Sequence, residues 1–183
     1  KAVKVDGAEA TVDNVKAGAY KLSRPFNIAT KGELTGVAKD FISFILSKEG
    51  QAVVTDNKYI AVNDAAESFV SDGSSGQIAV GGSSSVSPVM EKLIEAYKSV
   101  NPNASIDLQT SDSTSGMTGA MDGTFAIGMA SRELKDEEAA QLTGTAIALD
   151  GIAVIVNPAI VIGEGNWTKS IYVGDITDWG DLA

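Results

Sequence analysis

The sequence predicts an α/β domain built around a largely parallel sheet. Two observations carry that expectation. Short apolar runs of strand length alternate with segments whose apolar residues recur at helical spacing. Many of the 19 glycines stand at the ends of those runs, where an α/β chain turns.

Taken in order, Ala2 to Val5 suits a short strand, Thr11 to Ala17 a helix and Phe26 to Thr30 a strand. Val37, Ala38, Phe41, Ile42, Phe44 and Ile45 share one helical face, with Thr35 placed to cap the start and Ser47 near the end. A second helix covers Glu49 to Val54, and Tyr59 to Val62 is strand-like. Ser71-Asp72-Gly73-Ser74-Ser75-Gly76 has the composition of a linker, with no apolar anchor. Beyond it, Ile78 to Val80 is a strand, and Ser87-Pro88 opens a helix with Val89, Leu93, Ile94 and Tyr97 on one face. Ser87 suits the N-cap and Pro88 the first helical position. Ile106 and Leu108 alternate in a strand, Ser115 to Met121 starts a helix, and Phe125 to Met129 is a strand. A helix over Asp136 to Leu142, a buried strand over Ile152 to Val156 and a helix near Thr168 to Tyr172 complete the pattern.

Composition narrows the chemistry. With 183 residues, 44% hydrophobic and 21% charged, the chain has the length of one domain, or two small ones at most, and the balance of a packed globular core. It contains neither cysteine nor histidine, which removes thiolate catalysis, Cys-based zinc sites and the commonest general base. The net charge of −10 argues against a nucleic-acid partner. Carboxylates suit hard cations, but the calcium-loop pattern is missing and no cofactor is implied. No apolar run reaches the length of a membrane span, and no signal peptide opens the chain. Hydroxyls, backbone amides and a few Arg or Lys are left to carry the function.

Three loops gather those groups. Gly82-Ser83-Ser84-Ser85-Val86-Ser87-Pro88 lies between a strand and a helix, where unpaired N–H groups and the positive dipole end suit a tetrahedral oxyanion. The alternative is a simple helix cap with serine filler. Ser111-Asp112-Ser113-Thr114-Ser115-Gly116 stands at a second such junction, and Ala130-Ser131-Arg132-Glu133 follows a third strand. Arg132 suits either an anion or an ion pair with Glu133 or Asp136. Ligands bind at such strand ends in α/β folds, so three loops at one sheet edge favour an anion site. Trp167, Trp179 and Arg24 read as structural, and Asp136-Glu137-Glu138 as charges favoured at a helix start.

These segments resemble a known family. Ile78 to Pro88, the Ser113 loop, Ile127 to Leu134 and Leu149 to Asn157 are similar to the N-terminal part of phosphate-binding proteins of bacterial phosphate ABC transporters. Ile171 to Trp179 resembles that family's next segment. Lys1 to Asn63, with Tyr20 to Phe26 and Phe44 to Gln51, resembles its C-terminal part. The resemblance implies one lobe of a type II periplasmic-binding-protein fold, three-layer α/β/α around a largely parallel mixed sheet. That lobe spans residues 1–183, with 1–70 the family's C-terminal segment, 71–76 a linker and 77–183 its N-terminal segment. The order is inverted, which engineered permutation would explain. The stretch that builds the second lobe, with an Arg-containing Ser-Gly-Thr loop, is missing, and Ile160 to Asn166 matches the family poorly.

Carried over by position, the resemblance implies phosphate contacts at Ser84, Ser85, Val86, Ser113, Ser131 and Arg132. Some family members hold at Arg132 an Asp that accepts the proton of hydrogen phosphate; Asp112 is a possible substitute. The implied function is non-catalytic binding of inorganic phosphate or a similar oxyanion, weak or lost in this chain alone. A folded scaffold without binding is the alternative, and a phosphoester enzyme is disfavoured. Implied partners are the second lobe or another copy of the chain, and an ABC transporter membrane component for the parent protein. The implied location is periplasmic or extracellular, membrane-anchored in the parent.

Overall fold

A computed structural model describes residues 1–157, 170–171 and 173–177. Ile160 to Asn166, Trp167, Trp179 and most of the helix expected near Thr168 to Tyr172 lie outside the described residues. The chain forms two compact units, residues 1–23 with 151–183, and residues 24–150.

In the first unit, helix α1 (Val12–Lys16) is capped by Thr11, whose hydroxyl accepts the Asn14 N–H. The strand expected over Ala2 to Val5 is reduced to bridges, Ala2 with Ile155 and Val5 with Ala8. The strand expected over Ile152 to Val156 is likewise only a bridge, and Ile152 and Ile155 are exposed at 50% and 75%. Its β character is spent on a short pairing, with Val3 N–H on Val154 O and Val156 N–H on Lys1 O. The buried Tyr20 donates its hydroxyl to Ile152 O at 2.8 Å.

The second unit holds a five-stranded sheet in the order β3-β2-β4-β1-β5. Its strands are β1 (Ser23–Thr30), β2 (Gly76–Ser83), β3 (Ala104–Ser111), β4 (Ile127–Ala130) and β5 (Thr143–Gly151). β2 runs parallel to both β3 and β4, whereas β1 runs antiparallel to β4. The sheet is mixed. Helices α2 (Gly36–Leu46), α3 (Lys48–Asp56), α4 (Ser87–Val100), α5 (Ser113–Asp122) and α6 (Asp136–Ala139) complete the unit. Tyr59 to Val62, expected as a strand, contributes one bridge from Ile60 to Leu149.

Successive strand residues point to opposite faces, so the two core clusters identify the layers. On one face Ile28, Val80, Ile127 and Met129 join Phe41, Phe44 and Ile45 of α2 and Val89, Leu93 and Tyr97 of α4. On the other, Ala29 and Ala130 join Met117 and Ala120 of α5. Helices therefore cover both faces, giving three layers.

The segment from Ser71 to Ser74 is pinned to the fold. Asp40 of α2 is 4% exposed and accepts hydrogen bonds from Tyr97 Oη (2.7 Å), Ser71 Oγ (2.7 Å), Asp72 N–H (3.0 Å) and Asn101 Nδ2 (3.2 Å). Asn101 Nδ2 also reaches Ser74 O at 2.9 Å.

Candidate anion site

The register brings the three loops together. Ser83 pairs with Ser111, and Gly82 with both Thr110 and Met129, so β2, β3 and β4 end along one edge of the sheet. Glycines permit the close packing behind it. A Cβ on Gly116 of α5 would lie 2.7 Å from Gly82 Cα and from Met129 O, and 2.9 Å from Gly81 O. Gly82 has φ +133°, a backbone region that side chains rarely adopt. The first turn of α5 thus rests directly on the backbone of β2 and β4, and Ser113 stands at its start.

Hydroxyl hydrogen bonds lace the loops together. Ser131 N–H donates to Ser113 Oγ at 3.2 Å, and the buried Ser83 donates its hydroxyl to Ser131 Oγ at 3.1 Å. Ser84 N–H donates to Ser111 O at 3.0 Å, and Ser87 Oγ lies 2.8 Å from Thr110 Oγ1. A serine oxygen that already accepts a bond still has its proton to give. Ser113 and Ser131 are therefore arranged as donors at the sheet edge.

The six residues expected to contact an anion are placed as follows. Ser84 is exposed and Ser85 half-buried; no hydrogen bond ties the Ser85 N–H or hydroxyl among the described residues. Val86 is buried, and its N–H closes a turn onto Ser83 O at 3.0 Å. Ser113 and Ser131 meet as described. Arg132 commits its guanidinium to a two-pronged pair with Glu138, Nη1 to Oε2 at 2.7 Å and Nη2 to Oε1 at 2.8 Å. Its partner is neither Glu133 nor Asp136, although Nη1 also donates to Glu133 O at 2.9 Å. The hydrogen bond from Arg132 holds the Glu138 carboxyl below the ordinary glutamate range, and the same bond pushes Arg132 up.

Two helix starts differ from expectation. Ser87 is the first residue of α4 and not its cap, because Val86 is already helical (φ −85°, ψ −28°) and Ser87 Oγ turns back to Ser83 O at 3.3 Å. α5 begins at Ser113 because Asp112 caps it, accepting Thr114 N–H at 2.8 Å, Ser115 N–H at 3.0 Å and Ser115 Oγ at 2.6 Å. Those bonds, the Ser115 hydroxyl first, hold the Asp112 carboxyl below its usual range. Sequence reasoning placed Ser83 in the first loop without singling it out as a contact, and it missed Thr110 and Asn27, whose Nδ2 donates to Arg132 O at 2.9 Å.

Arg24 is structural, paired with Asp150 at 2.9 Å. No group of acidic side chains fit to hold a metal occurs among the described residues. No described helix is long and apolar enough to cross a membrane.

The fold is a mixed three-layer lobe whose hydroxyl-bearing loops meet at the strand ends, and the family comparison agrees with that fold. Residues 68–183 match the PBP superfamily domain model, and the chain belongs to that superfamily. It is 49% identical to the phosphate-binding protein PstS 2 of Streptococcus agalactiae serotype V over 187 residues, covering all of this chain and 64% of that protein. Against PstS 2 of Streptococcus pneumoniae serotype 4 it is 46% identical, covering 63% of the relative. The crystal structure of the phosphate-binding protein of a Streptococcus pneumoniae phosphate ABC transporter superposes with a TM-score of 0.94 at 45% identity, over all of this chain and 72% of that one. Each of these relatives is named as a phosphate-binding protein. It spans slightly under two thirds of the length of the streptococcal PstS 2 proteins.

Proposed function

We propose that the chain binds inorganic phosphate without catalysis, as one lobe of the substrate-binding component of a phosphate ABC transporter working outside the cytoplasmic membrane. The observation that carries this reading is the junction of the three loops, where Ser113 and Ser131 each accept one hydrogen bond and keep their protons to donate. Ser84, Ser85 and Val86 stand on the neighbouring loop. A net charge of −10 does not oppose an anion there, because exposed carboxylates are screened beyond roughly 8–10 Å.

The alignments with the streptococcal proteins run the length of this chain in one piece. That supports reading the inverted segment order as one those natural proteins share, with no engineering required.

Binding by these residues alone is weak on the same reading. The Ser84 and Val86 amides are spent within the fold, and Asp112 occupies the start of α5. Hydrogen bonds to a charged group contribute about 1.5–3 kcal/mol each, so a site with few free donors falls near the ~4 kcal/mol of millimolar affinity. Titration of the isotope-labelled chain with phosphate, followed by amide chemical shifts and with chloride as control, tests it. The expected result is saturable, millimolar shifts confined to Ser84, Ser85, Val86, Ser113 and Ser131. Shifts spread evenly over the surface, or none, would favour the folded scaffold without binding.

A further inference from the structure

We infer that Arg132 serves the anion site as a positioning residue and not as a ligand, with Glu138 and Asn27 as its partners. This rests on the phosphate reading above.

The guanidinium is already committed. Its two terminal nitrogens fork onto both oxygens of Glu138 at 2.7 and 2.8 Å, the geometry that makes arginine–carboxylate pairs strong and directional. The Glu138 side chain is only 3% exposed. An anion that drew the guanidinium away would leave a buried carboxylate uncompensated, which is strongly unfavourable. The pair is also neutral as a whole, so it lends the site little of the field of a free cation.

Glu138 does more than neutralise. Its Oε2 accepts the Lys135 N–H at 2.8 Å, so the corner after β4 is tied to the first turn of α6. From the other side Asn27 of β1, 4% exposed, donates to Arg132 O at 2.9 Å. Residue 132 is gripped at its side chain and at its carbonyl. The next residue back is Ser131, whose N–H holds Ser113 Oγ and whose Oγ receives the Ser83 hydroxyl. A displacement at 132 therefore moves both donor hydroxyls.

The two roles give opposite outcomes on the full chain. Glu138→Gln weakens the fork while keeping the volume. As a positioning pair, its loss lowers phosphate affinity about tenfold, the cost of one charged hydrogen bond. If Arg132 were a ligand, the same change would free the guanidinium and binding would hold or tighten, overturning the inference. The double variant Arg132→Met with Glu138→Met keeps the volume without charge. It should bind about as weakly as Glu138→Gln, since both lose the fork; a loss well beyond that single variant would make Arg132 a ligand and counts against us. Amide hydrogen exchange at Ser131 in the phosphate-free protein reads the clamp independently of any ligand. It should accelerate in Glu138→Gln and in Asn27→Ala, and unchanged exchange in both refutes the clamp. Wild-type chain that fails to bind phosphate sinks the functional reading instead, and the exchange result still decides whether Arg132 holds the corner.

Discussion

Gly116→Ala should destabilise the protein even though alanine is the better helix former. The new Cβ would stand 2.7 Å from Gly82 Cα, 2.7 Å from Met129 O and 2.9 Å from Gly81 O. All three are backbone atoms of β2 and β4, so no side chain can swing aside. Relief requires α5 to lift from the sheet. Overpacking of this kind costs typically 1–3 kcal/mol, and contacts so short with rigid neighbours put the site at the upper end. The substitution returns about 1 kcal/mol of helix propensity. The net loss is about 2 kcal/mol, or roughly 4–8 °C in Tm for a chain of this size. Thermal unfolding followed by circular dichroism measures it, with Thr118→Ala on the exposed side of the same helix as control. The control should match or slightly exceed the wild type. Lifting α5 also carries Ser113 from Ser131, so residual phosphate shifts should shrink before the protein unfolds. A Gly116→Ala protein as stable as the wild type would refute the claim that direct backbone contact sets the position of α5.

Two other outcomes follow from buried carboxylates. Asp40→Ala removes the acceptor of the buried Tyr97 hydroxyl and releases Ser71 and Asp72. It should cost about 3–5 kcal/mol in denaturant unfolding, with cleavage by a non-specific protease newly concentrated between Val70 and Ser75. Stability should also fall in acid. Burial pushes the Asp40 carboxyl up, but hydrogen bonds from Tyr97, Asp72, Ser71 and Asn101 together outweigh it, so Asp40, like Glu138, sits below its ordinary range. A depressed carboxylate contributes stability above its unfolded pKa and loses it as pH falls through the folded one, so the wild type should weaken below about pH 4. Glu138→Gln should flatten part of that slope when urea unfolding is compared between pH 7 and pH 3.

Much of the sheet was legible because its signals were local. Helical spacing marked α2 and α4, and strand-length apolar runs marked β1 and β2. The repeated strand-to-helix loops marked the edge where the hydroxyls meet. β5 was not legible. Thr143 to Gly151 alternates small alanines with glycine at both ends, whereas Ile152 to Val156 is richer in β-branched residues and reads as the better strand. Position in the fold overrode that preference: Thr143 to Gly151 is the stretch beside β1, and Ile60 pairs with Leu149. The partner of Arg132 was hidden for a similar reason. Glu138 sits six residues away on another element, and the acidic run around it already had a sufficient local explanation as a helix start. Glu138 does accept the Lys135 N–H in that capacity, so the local reading was correct and incomplete. The linker misled through composition. Six small polar residues predict freedom, and only the tertiary position of Asp40 reveals that Ser71, Asp72 and Ser74 have partners.

The strand order shows how closely the two segments on either side of Ser71 interleave. β1 belongs to the segment before Ser71, yet it lies between β4 and β5, both from the segment after it. The two segments interleave and cannot form separate halves. The hydroxyls at the sheet edge come from residues 83–131, and the earlier segment supports them through the pairing of β1 with β4 and through Asn27, which donates to Arg132 O. Joining the segments in one order or the other changes only the connection that closes the chain, and closure entropy grows slowly with loop length. What the connection must do is leave α2 and α4 packed. Asp40 on α2, bonded to Tyr97 of α4 and to Ser71 and Asp72 of the connection itself, joins all three at one buried carboxylate. The connection thereby holds α2 and α4 together at a place separate from the hydroxyls at the sheet edge.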